Sequence, residues 1–151
     1  MIISKDAEIT SANLQNQMIG LVRAFGLHIP DTTPCGQLLT VAEAHALLEI
    51  ERAARLSQNE LAIRLMLEKS TVSRLVTSLE AHGWISRIRS ERDGRRLELS
   101  LTEKGRHIHE QIAAARAAKF QRVIEAVPIS QRQHVIEGLN ILVEALYASS
   151  T

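Results

Sequence analysis

The chain has 151 residues, of which 45% are hydrophobic and 3% aromatic, so it can bury one aliphatic core. Its net charge of +1 excludes a chain that is basic throughout, as a nonspecific coat for nucleic acid would be. The single cysteine excludes an intrachain disulfide. We find no signal-peptide pattern and no apolar run of about 18 residues, so we expect a cytoplasmic protein with no membrane partner.

The basic charge is concentrated in the middle of the chain. Residues 57–96 carry eight basic and five acidic side chains, a net of +3, which leaves −2 for the rest. The chain has 14 arginines and 4 lysines, and arginine suits bidentate contacts with phosphate and guanine. This distribution indicates that one segment meets an anion while the remainder has another task.

The first predicted element is a helix over about Ser11–Leu27, where apolar residues recur at helical spacing after a loose end at residues 1–10. A loop with two prolines and a glycine follows. Thr40 and Glu43 then form a capping box, in which each side chain can bond the other residue's backbone N–H. This pair predicts the start of a second helix.

Ser57–Gly83 predicts two short helices with a tight junction, which is a helix-turn-helix. Ser57 and Glu60 form a second capping box, and Gly83 suits the left-handed position after the second helix. One face of that helix is apolar, and the other carries small polar side chains around one arginine: Ser70, Thr71, Ser73, Arg74 and Thr77. Such a face can lie close in a major groove, with Arg74 forked onto guanine. The alternative is an ordinary solvated face.

Two alternating runs, Trp84–Arg89 and Arg96–Leu101, predict a β-hairpin with its tip at Ser90–Arg95. In the first strand, Trp84, Ser86 and Ile88 are expected to point one way and Ile85, Arg87 and Arg89 the other. Arg87 and Arg89 are expected on the outer face.

Five arginines lie in and beside this tip: Arg87, Arg89, Arg92, Arg95 and Arg96. Arg92 and Arg95 can reach a minor groove, and Arg87 and Arg89 can reach phosphates. Asp93 is expected to hold the Arg95 guanidinium by a charge-assisted hydrogen bond. A solvated basic hairpin tip is the alternative.

Thr102 is predicted to cap a long helix that stops near Pro128, and Ser130 with Gln133 forms a third capping box for the last helix. The predicted fold class is therefore mostly α with a small β-wing (α+β), with a winged helix-turn-helix lobe at 40–101. The apolar stripes on the first helix and the last two exceed what this lobe needs to cover, which favours a second chain as partner. An intrachain helical subdomain is the alternative.

STVSRLVTSLEAHGWISRIRSERDGRRLELSLTEKG resembles the MarR family of bacterial transcription regulators. The matching motif positions at its end are Asp93, Arg95, Leu101, Thr102 and Gly105. The resemblance covers about 40–105 in motif and nearly the whole chain in element order. It implies one MarR-like domain over 1–151 and a homodimer, in which helices at 11–28 and 102–147 interdigitate and two lobes straddle a pseudo-palindromic operator.

Carried over by position, the resemblance implies that Ser70, Thr71, Ser73 and Arg74 face the major groove. It implies that Arg95, steadied by Asp93, enters the minor groove, and that Gln58 lies near the phosphate backbone. Gly94 departs from the pattern, since many relatives have a charged residue there. The family's ligands sit where the dimerisation helices meet the lobes, and by element order Phe25, His28, Cys35, His45 and Arg52 are nearest to that crevice.

These observations predict a sequence-specific regulator of double-stranded DNA, a homodimeric repressor released by a small ligand. The alternative is a winged-helix protein-interaction module whose hairpin meets an acidic partner. No cofactor or metal is expected, because His107 and His109 diverge on their helix and no zinc-type spacing occurs. No catalytic pattern occurs, so an enzyme is not expected. A redox role of Cys35 is the less favoured alternative, because the chain holds no partner cysteine.

Overall fold

The computed structural model describes residues 10–150, which form six α-helices and two β-strands. The elements in chain order are α1 (Ser11–Phe25), α2 (Val41–Ala53), α3 (Gln58–Leu65), α4 (Lys69–Ala81), β1 (Ile85–Arg89), β2 (Leu97–Leu101), α5 (Glu103–Ala126) and α6 (Ile129–Ser149). This order confirms the mostly α fold with a small β-wing. The loose end expected at residues 1–10 lies outside the described residues, except for Thr10, which caps α1.

Two of the predicted capping boxes fix the starts of α2 and α3. Glu43 N–H donates to Thr40 Oγ1 (3.1 Å), and Thr40 N–H donates to Glu43 Oε2 (2.9 Å). Ser57 and Glu60 exchange the same pair of bonds, at 3.2 and 2.6 Å. Each box satisfies N–H groups that a helix start otherwise leaves without a partner, and both predictions are confirmed.

The third predicted capping box, Ser130 with Gln133, is wrong. Helix α6 begins at Ile129, with Pro128 in the N-cap position at φ −52°, and no side chain caps it. Because the proline ring holds φ near the helical value, the helix starts two residues earlier than expected and Ser130 lies in its first turn. At the other end of the chain α1 stops at Phe25, not Leu27, because Gly26 turns left-handed at φ 91°.

The hydrophobic core of the lobe lies between α2, α3, α4 and the wing. Its most deeply buried side chains are Leu47, Ile50, Leu61, Val72, Val76, Leu79 and Leu99. Glu43 is also buried, and its Oε1 accepts a hydrogen bond from Ser78 Oγ (2.9 Å). This bond ties the start of α2 to α4, so one carboxylate both caps a helix and joins two helices.

The wing is an antiparallel hairpin in which Ile85 faces Leu101, Arg87 faces Leu99 and Arg89 faces Leu97. Directly opposed residues share one face of a sheet, and Ile85, Leu99 and Leu101 are all buried. Arg87 and Arg89 therefore lie in the row that contains these buried residues, the core-facing row, and not in the opposite row as expected. Both arginines are nevertheless exposed, because the row leaves the core towards the wing tip, where Leu97 is 52% exposed. The other edge of β2 is covered at Leu56, which exchanges two backbone hydrogen bonds with Leu99.

The chain divides into two compact units after Ile112, and the predicted domain limits stay predictions. In the first unit, no residue of α1 is buried, and Leu14, Ile19 and Leu21 are each more than 40% exposed. In the second unit, no residue of α6 is buried either. The end of α5 and α6 line an apolar groove of about 380 Å³ with Phe120, Val123, Ile124, Val135, Ile136 and Leu139. Within residues 10–150, no helix is long and apolar enough to cross a membrane.

The start of α5 is held against the turn that joins α4 to β1. Thr102 N–H donates to the Trp84 carbonyl (3.0 Å), and Thr102 Oγ1 donates to the Gly83 carbonyl (2.6 Å). The same Oγ1 accepts from Gly105 N–H (3.0 Å), which confirms Thr102 as the cap of α5. Gly105 packs so closely here that a Cβ would overlap the Trp84 carbonyl oxygen and lie 2.8 Å from the carbonyl carbon.

We expect Gly105→Ala to lower the free energy of unfolding by about 1–3 kcal/mol, because the added methyl group has to displace backbone atoms of Trp84. Gly94→Ala is the matched control, since a Cβ at Gly94 meets no atom within 4 Å. Urea denaturation of both variants measures the difference. Equal stability of the two would contradict the close approach.

Candidate nucleic-acid interface

Helix α4 presents the small polar face that the sequence predicts. Ser70, Ser73, Arg74 and Thr77 are exposed and Thr71 is half-buried, while the apolar stripe beneath them is buried. Thr77 Oγ1 donates to the Ser73 carbonyl (2.9 Å), which keeps that side chain close to the helix. No side chain caps the start of α4, so its first N–H groups remain open to an anion such as phosphate.

The wing tip is organised by Ser90, a buried residue that the sequence did not single out. Ser90 Oγ accepts from the backbone N–H groups of Arg92 (3.3 Å) and Asp93 (3.4 Å). Ser90 N–H donates to the Arg96 carbonyl (2.9 Å), which closes the loop. Serine favours turns because its hydroxyl can bond nearby backbone groups. Here the bonds to the Ser90 hydroxyl take the place of backbone pairing between the strands, which ends at this residue.

Asp93 positions Arg95 through the backbone of Arg95. We expected Asp93 to bond the guanidinium of Arg95, and the structure shows a bond to its backbone N–H instead. Asp93 Oδ1 accepts from the Arg95 backbone N–H at 3.1 Å. A carboxylate bonds easily to the amide two residues on, and this Asx turn leaves the guanidinium free. Gly94 between them has no left-handed φ and no atom near its missing Cβ. The fold therefore accepts a side chain at Gly94.

The arginines of the wing fall into paired and unpaired groups. Arg87 Nε donates to Glu80 Oε1 (3.0 Å) on α4, and Arg89 Nη1 donates to the Gly94 carbonyl (3.3 Å). In contrast, Arg92 and Arg95 are exposed and take part in no ion pair within residues 10–150. The same holds for Arg74 on α4. Arg96, beside the tip, is likewise exposed and forms no ion pair there. Both α4 and the wing tip thus present arginines without an acidic partner.

Gln58 is half-buried, and its Oε1 accepts from Arg87 Nη1 (3.1 Å). Its expected contact with the phosphate backbone stays a prediction. Glu80 was not singled out from the sequence, where it has the pattern of an ordinary acid on a helix surface, seven residues before its partner Arg87. The ion pair between Arg55 and Glu91 (2.9 Å), which links the wing to the segment after α2, was not predicted from the sequence either.

The residues expected near a ligand are not all brought together. An apolar groove of about 460 Å³ lies beside α1 and is lined by Met18, Ile19, Val22, Arg23 and His28. His28 is the one expected residue that lines it, and Arg23 is an addition that the sequence missed. Phe25 is half-buried, His45 lies exposed on α2, and Arg52 pairs with Glu49 (3.2 Å).

Cys35 is a half-buried free thiol in the loop before α2. In the part of the chain that the structure describes, no three His, Cys, Asp or Glu side chains are placed to hold a metal ion.

Comparison with known proteins gives a consistent set of matches. A model described as the MarR family matches residues 39–96. The chain is 27% identical over 108 residues to the uncharacterized HTH-type transcriptional regulator YfiV of Bacillus subtilis, covering 72% of this chain and 68% of YfiV. It is 35% identical over 75 residues to the HTH-type transcriptional regulator SarZ of Staphylococcus aureus, covering 50% of this chain and about half (51%) of SarZ.

Among solved structures, the chain is similar to FabT of Streptococcus pneumoniae, whose crystal structure is in complex with DNA. The TM-score is 0.78 and the sequence identity 26%, over 91% of this chain and 99% of FabT. The likeness therefore extends well beyond the segment matched by the family model.

The carboxyl of Glu60, beside the wing, has a lowered pKa. The backbone N–H of Ser57 is the main cause, followed by the Ser57 side chain and by the charges of Arg96 and Arg64. Because the folded pKa is depressed, the ionised carboxylate stabilises the fold above the unfolded pKa, and this contribution is lost as the pH falls through the folded value.

We therefore expect Glu60→Gln to unfold less steeply on acidification below about pH 4.5 than the wild type does. Above that pH the variant is the less stable of the two, since its neutral amide forms weaker bonds with Ser57. Thermal unfolding between pH 3 and 7 measures both effects. Parallel curves for the two proteins would contradict the assignment.

Proposed function

Since this chain belongs to the MarR family of DNA-binding transcription regulators and not to a family of enzymes, we propose that it represses transcription by reading one operator sequence in double-stranded DNA. The observation that carries the proposal is the placement of the unpaired cations. Arg74 stands in a face of small polar side chains on α4, and Arg92 and Arg95 stand at the tip of the wing that follows.

In this proposal, α4 lies in the major groove. Small hydroxyl groups let the helix approach closely, and Arg74 donates two hydrogen bonds to a guanine edge. The base or phosphate contacts of the helix come from Ser70, Thr71, Ser73, Arg74 and Thr77. The wing tip enters the adjacent minor groove with Arg95, whose backbone Asp93 holds, and with Arg92. Arg89 and Arg96 approach the phosphates beside it.

We further propose a homodimer that binds a pseudo-palindromic operator. Support comes from the terminal helices, since no residue of α1 or of α6 is buried and both carry exposed large apolar side chains. Isolated soluble chains rarely expose so much apolar surface, and a second copy covers it in a closed twofold assembly. Sedimentation equilibrium should give twice the 16.8 kDa of one chain. A monomer at micromolar concentration would overturn this part.

The groove beside α1 supports release by a small ligand. Met18, Ile19 and Val22 supply apolar walls, and Arg23 and His28 supply polar groups at the rim. This combination suits a small organic anion with an apolar body. Titration of aromatic carboxylic acids into the DNA complex tests it, and we expect the affinity for the operator to fall. Release by the same acids from an Arg23→Ala variant would argue against this groove.

Binding to a duplex from upstream of its own gene tests the main proposal. The operator should bind more tightly than a scrambled duplex, and the logarithm of its association constant should fall by about 0.9 for each phosphate neutralised per log unit of salt. Equal, weak binding to both duplexes would contradict the proposal and favour an acidic protein partner.

Arg95→Ala should weaken operator binding and reduce the salt slope by up to about one unit, because one cation leaves the minor groove. Fluorescence anisotropy between 50 and 200 mM salt measures the slope. A slope equal to that of the wild type would remove Arg95 from the interface.

Arg74→Ala should cost roughly 1–3 kcal/mol of binding free energy on the operator and much less on unrelated duplexes, if Arg74 reads a base. Competition between the operator and duplexes with single base-pair changes measures the discrimination. Similar losses on every duplex would reassign Arg74 to a phosphate.

A further inference from the structure

The guanidinium of Arg87 joins three elements of the lobe. Arg87 itself lies in β1, its Nε donates to Glu80 Oε1 on α4 (3.0 Å), and its Nη1 donates to Gln58 Oε1 at the start of α3 (3.1 Å). The side chains of Arg87 and Glu80 are each one-third exposed, so both are partly withdrawn from water. Hydrogen bonds between ionised partners in such a place are stronger than those of fully exposed pairs.

The position of Arg87 in the sheet explains why it reaches these partners. It lies opposite the buried Leu99, while Arg87 itself is exposed. Its side chain is long enough for the charged head to reach Glu80 on α4 and Gln58 on α3. The pairing of β1 with β2 fixes the backbone of Arg87, and its guanidinium is planar. The direction of its hydrogen bonds is therefore set by the sheet.

A second side-chain link, between the wing and the segment after α2, is weaker. Arg55 and Glu91 form an ion pair at 2.9 Å, but their side chains are 42% and 81% exposed, so solvent screens the attraction. The base of the wing is already held, because Thr102 bonds the Gly83 and Trp84 carbonyls in the turn between α4 and β1. The bonds of Arg87 add a restraint farther along β1, nearer to the wing tip.

We propose that Arg87, Glu80 and Gln58 form a positioning clamp that sets the wing relative to α4, and that Arg87 raises affinity for the operator without binding a phosphate. The inference rests on the proposed DNA binding. Two grooves are read together only if α4 and the wing tip are held at the spacing of the duplex. A clamp between them therefore acts on the specific complex, whereas loose binding to any phosphate backbone does not need it.

The clamp and a phosphate contact predict different results when Glu80 is removed. If Arg87 binds a phosphate, Glu80→Ala frees its guanidinium, so affinity for every duplex rises and the ratio of operator to scrambled affinity stays unchanged. If Arg87 is part of a clamp, Glu80→Ala breaks the clamp, so that ratio should fall about tenfold. A tenfold change lies within the range of coupling energies between side chains that act as one unit. Because the ratio compares two duplexes, the general effect of the lost negative charge cancels.

The experiment measures both affinities and their salt slopes for wild type, Glu80→Ala, Arg87→Ala and the double variant. We expect both single variants to lower the ratio about tenfold, the double variant to lower it no further, and the salt slope of Arg87→Ala to stay at the wild-type value. Arg106→Ala is the control for the loss of one arginine charge, since Arg106 lies exposed on α5 and forms no ion pair within residues 10–150. Its ratio should remain that of the wild type.

Three results would overturn the clamp while leaving DNA binding intact. They are an unchanged ratio in Glu80→Ala, a salt slope reduced by about 0.9 in Arg87→Ala, or additive losses in the double variant. A wild-type protein that binds neither duplex would overturn the proposed function and the clamp with it. Should Arg87→Ala lose its cooperative unfolding transition, Arg87→Lys takes its place, since it keeps the charge but not the two-way fork. Its ratio should still fall.

Discussion

The close contact between Gly105 and the Trp84 carbonyl is the constraint on which the lobe depends. It brings the start of α5 against the turn after α4, at the point where the wing also begins and ends. Thr102 adds bonds to Gly83, Trp84 and Gly105, and Lys104 Nζ donates to the His82 carbonyl (2.8 Å). The end of α4, the two ends of the wing and the start of α5 thus meet at one point.

Pairing, more than the amount of charge, defines the candidate interface. A chain of net charge +1 has little attraction for DNA as a whole. Acids on the helices occupy several arginines, as Glu80 does Arg87 and Glu49 does both Arg52 and Arg64. Arg74 on α4 and Arg92 and Arg95 at the wing tip stay without an ion pair within residues 10–150, as do arginines on α1 and α5. The proposed surface is distinguished by the placement of such arginines on two neighbouring elements of the lobe.

The lobe and the terminal helices differ in how they are stabilised. The lobe has a closed aliphatic core, in which α2, α3, α4 and the wing each bury large side chains. Helices α1 and α6 bury none, although their sequences are apolar on one side. The core of the lobe is stabilised by apolar surface that one chain buries by itself. The exposed apolar stripes of α1 and α6 would be stabilised mainly by burial against a partner.

Periodicity and capping residues were enough to predict every element of the described chain, because both act over a few residues. Thr40 with Glu43 and Ser57 with Glu60 cap helices wherever the chain lies, and the α4 stripe predicts its own buried face. The errors arose where a distant or competing group decides. Pro128 overrode Ser130, strand register placed Arg87 in the core-facing row, and a backbone amide bound Asp93 in place of a guanidinium. Sequence by itself determined the elements and the residue types at the candidate interface. Only the tertiary structure decided which arginines are paired, because Glu80 and Gln58 approach Arg87 through packing of separate elements that no local pattern encodes.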